Sequence, residues 1–248
     1  MFPKSTEEVL REIRTKNPQA NKFLSWGLVG LFAFVLLLLS PKLLETNNAG
    51  FYTVKQAAVS GRLTGIMEPG MFVQNFGETF KYRAADIIYF SKHEAEGEGG
   101  DDSIEVRFND GAVAKVTGNV RIELPPDSDR LLNIHKKFRG YNSLIKDTVK
   151  QAISESVILT AALMSAEESY TIKRAEFSQM AYDQIVKGMY LTEAETVETK
   201  DPKTGEIIYR QRVKIQLNKD GEPDRKESVL NQYGIKTTQF VIKEIDYE

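Results

Sequence analysis

No cysteine occurs among the 248 residues, which excludes disulfides, thiolate nucleophiles, cysteine-based zinc sites and iron–sulfur ligation together. Histidine is almost as scarce. His93 and His135 stand far apart, so any catalysis would fall to carboxylates, Lys, Tyr or Ser. Neither sign of charge dominates either: 33 Lys+Arg against 35 Asp+Glu leave a net charge of −2, too little to hold nucleic acid by a global basic field. A G-x-S-x-G elbow, a G-x-x-x-x-G-K-[ST] phosphate loop and an H-E-x-x-H helix are all missing. Gly97, Gly99 and Gly100 do cluster, but inside the acidic stretch Glu94 to Asp102, whose carboxylates would repel a phosphate. That stretch also lacks the register of a calcium loop and reads as solvated. His135, beside Lys136 and Lys137, reads as a surface or packing residue, and Glu167-Glu168 as ordinary solvated carboxylates. Tyr141 and Tyr170 have no base at a recognisable spacing. No catalytic, metal-ligating or cofactor-binding residue is assigned, no cofactor is expected, and the balance favours binding or assembly over an enzyme.

What the chain does have is one long apolar run. From Phe23 to Leu39 it reads FLSWGLVGLFAFVLLLL, uncharged, with twelve of seventeen positions Leu, Val or Phe. At mid-bilayer those twelve favour insertion by roughly 4–7 kcal/mol. A helix of this length rises about 25 Å, a little short of a ~30 Å hydrocarbon core, and Lys22 and Lys42 can snorkel across the difference. Trp26 suits an interfacial belt, with Leu31 and Phe34 at mid-depth, and Pro41 closes the run. A cleaved signal peptide is the competing reading. The run exceeds a usual apolar core of about 7–15 residues, and Asn47-Asn48-Ala49 makes a poor cleavage site. A transmembrane helix over residues 23–41 is therefore expected. Lys4, Arg11, Arg14, Lys16 and Lys22 precede it, whereas Lys42 and Lys55 follow, so residues 1–22 form a cytoplasmic tail and the main domain lies on the extracytoplasmic side.

The remaining sequence can bury a core: 41% of the chain is hydrophobic and 27% charged. Short β-rich stretches run from Gly50 to Leu124, broken by Gly61, Gly65, Pro69-Gly70 and Gly77. Ile104 to Phe108 and Ala112 to Ile122 alternate around Asn109-Asp110-Gly111, a hairpin with its turn chemistry intact. After Pro125-Pro126, Asp127 or Ser128 can cap a helix, and Tyr141 to Val157 repeats at three and four. A second helix is expected from about Ile172 to Val186. A second hairpin (Thr192 to Thr199, Glu206 to Leu217), a short helical piece ending at Gly234 and a last strand from Ile235 to Ile245 follow. This is an α+β pattern in two subdomains, residues 50–125 (β-rich) and 126–246 (α+β).

Met71, Phe72, Val73, Phe76 and Phe80 crowd the stretch after Pro69-Gly70. Tethered close to a bilayer, some of them could dip into the outer leaflet; alternatively they pack under the first sheet.

The order of features resembles the SPFH or Band 7 family (stomatins, prohibitins, flotillins and the bacterial HflK/HflC pair). An N-terminal span precedes a Gly50-containing first strand, a turn at Gly61 and Pro69-Gly70-Met71-Phe72. The Asp110-Gly111 hairpin, Pro125, a long helix, Arg174-Ala175-Glu176, Tyr233-Gly234-Ile235 and Val241 to Ile245 come after. Asn75 stands where the family usually has a proline, and the family's long Ala/Glu-rich coiled coil is not in this sequence. The resemblance implies two SPFH-type subdomains and a membrane scaffold, many copies packing laterally into rings or cages around a membrane patch. Its partners would be the lipid bilayer, copies of itself or a homologous subunit, and a membrane protein under its control such as a membrane-bound AAA protease. An anchored binding domain acting as monomer or dimer is the alternative.

Overall fold

The longest alternating run, ending at Pro125, becomes the organising strand. The computed structural model describes residues 26–35, 42–93, 100–171, 173–200 and 207–247. Among these, eleven strands form: β1 (Leu44–Asn47), β2 (Phe51–Gln56), β3 (Leu63–Ile66), β4 (Gly70–Val73), β5 (Glu78–Arg83), β6 (Ala85–Phe90), β7 (Ile104–Arg107), β8 (Val113–Glu123), β9 (Thr192–Lys200), β10 (Ile207–Ile215) and β11 (Lys236–Tyr247). Helices α1 (Ser128–Phe138), α2 (Tyr141–Leu144), a π-helical turn (Ile145–Val149), α3 (Lys150–Ala162), α4 (Ala166–Tyr170), α5 (Arg174–Lys187) and α6 (Val229–Gln232) complete the α+β fold.

β8 pairs antiparallel with β11 along one edge and with β6 and β7 along the other. Residues from both sides of Pro125 thus share one sheet. Alternation turns Ala114, Val116, Val120 and Ile122 into the core, where α3 and α5 cover them with Ile153, Val157, Phe177 and Ala181. A second sheet, ordered β3-β2-β5, packs on α1 through Val54, Tyr82, Leu131 and Ile134. β1 and β4 form a separate two-stranded ladder, and β9 and β10 a hairpin.

The helices start where the sequence supplies caps. Asp127 accepts from the backbone of Asp129 and Arg130 to open α1. Arg139, left-handed at φ 60°, ends it. Ser165 and Glu168 form a reciprocal capping box on α4, a helix absent from the expected set. Glu168 is therefore not an idle solvated carboxylate: its hydrogen bond to the Ser165 backbone holds its pKa below the usual range, helped by Lys173. Gly50 corrects another expectation. It sits at φ 82° in the turn between β1 and β2 rather than within the first strand. The helix expected from Ile172 begins at Arg174, and Ile172 itself lies outside the described residues.

Residues 26–35 are helical and exposed throughout, including Trp26, Leu31 and Phe34. No helix among the described residues is long and apolar enough to cross a membrane. Phe23 and Leu39, the ends of the apolar run, lie outside the described residues, as do the tail 1–22 and the expected turn at 201–205.

Gly118 is the tightest point of the main sheet. A Cβ there would lie 2.2 Å from the Val241 carbonyl of β11 and 2.6 Å from the Phe90 ring. β11 bulges at this level, between Ile242 and Glu244, and Phe90 lies over the space a side chain would fill. Gly118→Ala is expected to destabilise the fold by about 1–3 kcal/mol, read as a lower denaturation midpoint with an unchanged slope.

Candidate functional site

Two places stand out: an apolar edge next to the start of the folded domain, and a cleft along the margin of the main sheet. The first begins with backbone geometry. Residues 42–43 are helical and run straight into β1, which pairs with β4 in the register Leu44 opposite Val73 and Asn47 opposite Gly70. Past the ladder, the chain after β4 folds back onto this junction. Gln74 and Asn75 donate their amides to the Leu43 carbonyl and Phe76 donates to Lys42, at 2.8, 3.3 and 2.8 Å. Asn75 and Phe76 both hold positive φ, 52° and 59°, which makes the tight return possible.

The side chains here divide by strand alternation. Met71 and Val73 are 72% and 59% exposed, Phe72 between them is half-buried, and Phe76 is 44% exposed. Phe80 is different: it packs into the body, its ring 4.5 Å from the His135 imidazole. Of the five crowded residues, three thus present apolar surface beside Lys42 and Leu43.

A buried amide locks this edge to the rest. Asn47, 1% exposed, donates its side-chain amide to the Phe51 and Glu68 carbonyls at 3.0 and 2.9 Å and accepts the Thr53 hydroxyl at 2.8 Å. One side chain therefore joins β1, β2 and the turn before β4. Lys55 reinforces the contact by donating to the Val73 carbonyl, and Lys81 pairs with Glu45 at 3.1 Å. No motif advertised Asn47, which the sequence offered only within the Asn47-Asn48-Ala49 stretch weighed as a cleavage site.

Behind this edge, Tyr82 and His135 form a buried pair, Oη to Nδ1 at 2.8 Å. Burial pushes the phenol up to about 12, so it keeps its proton near neutrality, and the direction of the shared hydrogen bond follows the imidazole tautomer. Burial also lowers the His135 pKa. His135 is thus a packing residue that closes α1 onto β5.

The cleft, about 690 Å³, runs along β6 from Ala85 to Tyr89. Arg83 and Arg121 stand on its strand side, and Tyr141, Asn142 and Lys150 on its helical side. Asp86 is the hub. It takes both Arg83 hydrogen bonds at 3.1 Å, the Ile87 amide at 2.9 Å and the Tyr141 hydroxyl at 2.7 Å. Burial, then the bond to Asp86, raises the Tyr141 pKa far out of reach of a proton-transfer role near neutrality. Lys150 pairs with Asp102 at 3.0 Å, whereas Arg121 makes no ion pair with any described residue. The π-helical turn starts on this wall, with Ile145 lining the cleft.

A third polar node is structural. Asp183 accepts from Arg225, Tyr190 and Lys187 where α5 meets the return of the chain after β10. Burial raises its carboxyl, but those hydrogen bonds outweigh burial and leave it below the ordinary value.

Compared with known sequences, the chain matches no protein-family model and no curated protein.

His135 gives this region a pH dependence of definite sign. A histidine with a depressed native pKa takes up a proton more readily once unfolded, so its stabilisation is complete above the ordinary value near 6.5 and is lost as pH falls through the depressed native value. Thermal unfolding followed below pH 6.5 should show a falling midpoint in the wild type and a flatter profile in His135→Gln.

Proposed function

We propose that the protein is a membrane-anchored scaffold of SPFH/Band 7 type, held by a single helix over residues 23–41 and packing side by side with copies of itself or a homologous subunit. The observation that supports this most directly is the backbone return onto Lys42 and Leu43. It sets the exposed Met71, Val73 and Phe76 beside the first residues after the apolar run, and the half-buried Phe72 with them. If that run spans a bilayer, the same side chains meet the outer leaflet and fix the tilt of the domain. The ordered set of family-like segments described above supports the same reading.

The physical logic of such a scaffold is simple. A spanning helix confines each copy to two dimensions and raises its effective concentration for lateral contacts. A head-to-tail contact with a constant rotation then closes into a ring, and modest contacts add up over many copies. The fenced membrane patch is where a client such as a membrane-bound AAA protease would be controlled. In this role the polar clusters around Asp86 and Asp183 hold the domain together and transform no substrate.

Size in a mild detergent tests this. The scaffold reading predicts a particle of many copies from the purified full chain. A species of one or two copies plus micelle would replace it with an anchored extracytoplasmic binding domain acting as monomer or dimer.

A further inference from the structure

The cleft along β6 is bounded by a strand edge. Leu124 donates to the Ala84 carbonyl on the β8 side, whereas Asp102 donates to the Ser91 carbonyl on the far side. Antiparallel alternation therefore turns the backbone groups of Ala85, Ile87 and Tyr89 away from β8 and into the cleft. Among the described residues, only the Ile87 amide is occupied, by the Asp86 carboxylate. Such an edge is a template for one more strand. Its surroundings carry a positive excess: Arg83, Arg121 and Lys150 against Asp86 and the Asp102 carboxylate paired with Lys150, three cations and two carboxylates, a balance of +1.

The same chain carries a strand of opposite character. β9 pairs only with β10 along Thr192–Lys200, leaving its outer edge without a strand partner among the described residues. Glu193, Glu195 and Glu198 lie along it, all exposed, and make no ion pair with a described residue. Glu193 and Glu195 fall on one face and Glu198 on the other. A two-stranded hairpin is marginal in water by itself, and this one leaves Tyr209 and Val213 66% and 38% exposed.

We propose that β9 of one copy adds to the β6 edge of the next, its Glu193 and Glu195 carboxylates seated against Arg121. This rests on the scaffold reading and supplies its lateral contact. Because groove and strand are different surfaces of one chain, the contact is head-to-tail, the kind that propagates into a ring.

Reversed charges test the contact in the full chain, solubilised in mild detergent and sized by light scattering. Arg121→Glu with Asn142→Asp turns this balance from +1 to −2, two cations against four carboxylates. Glu193→Lys with Glu195→Lys makes the strand basic. Each double variant alone should self-associate on the order of tenfold or more weakly than the wild type. Mixed in equal amounts they should assemble again, alternating along the ring, a rescue that misfolded protein cannot give. A large wild-type particle with both variants equally large would overturn the contact and leave the scaffold standing. Variants that dissociate but fail to rescue each other would overturn it too. A wild type of one or two copies would remove the scaffold reading, and this contact with it.

Discussion

The arrangement of the domain depends on how a four-residue strand, β1, is held. Its ladder with β4 is short, and a two-stranded ladder alone would be marginal. The Asn47 side chain supplies the missing constraint, with hydrogen bonds into two other segments from a fully enclosed position. Breaking it would leave buried carbonyls and the Thr53 hydroxyl unpaired, at about 1–3 kcal/mol for each group. β1 is therefore not a loose leader but part of the body. Whatever fixes residue 42 in space fixes the three-stranded sheet as well.

From there the rigidity passes inward through side chains the sequence places at intervals. Phe80 and Tyr82 on β5 meet His135 on α1, and Tyr82 also meets Tyr141 edge-on. Tyr141 reaches Asp86 on β6, whose strand is bonded to β8. β8 in turn carries β11 from the end of the chain. A contiguous path of packed rings, hydrogen bonds and strands thus joins the apolar edge to the main sheet. In the scaffold reading, this lets a tilt set at the membrane appear unchanged at the lateral surfaces where copies meet.

Much of the fold was legible because local signals agreed. The Asn109-Asp110-Gly111 turn between alternating segments, the Asp127 cap, Gly234 after α6 and the alternation of β8 each express a short-range physical rule, and the structure follows them. The misses come from tertiary context. Glu168 looked like one of two solvated carboxylates because a capping box depends on which helix starts at Ser165. Gly50 reads equally well as a strand glycine or a turn glycine until its positive φ is known. Phe80 could not be separated from Met71 and Val73 by composition, since only the contact with His135 removes it from the surface. The cleft was invisible for a related reason: Arg83, Arg121 and Lys150 are scattered in sequence and meet only through sheet pairing and the helical wall.

The scaffold reading requires that the β4 edge sit in lipid when the apolar run is in a bilayer. The absence of native cysteine makes a direct depth measurement possible. A single nitroxide placed through Phe76→Cys, in the full chain reconstituted into vesicles, can be compared with one at Val59→Cys, on the fully exposed turn after β2. The label at 76 should collide more readily with oxygen than with a water-soluble nickel chelate, and the label at 59 should show the reverse. Equal and high access of the nickel chelate to both positions would contradict the account.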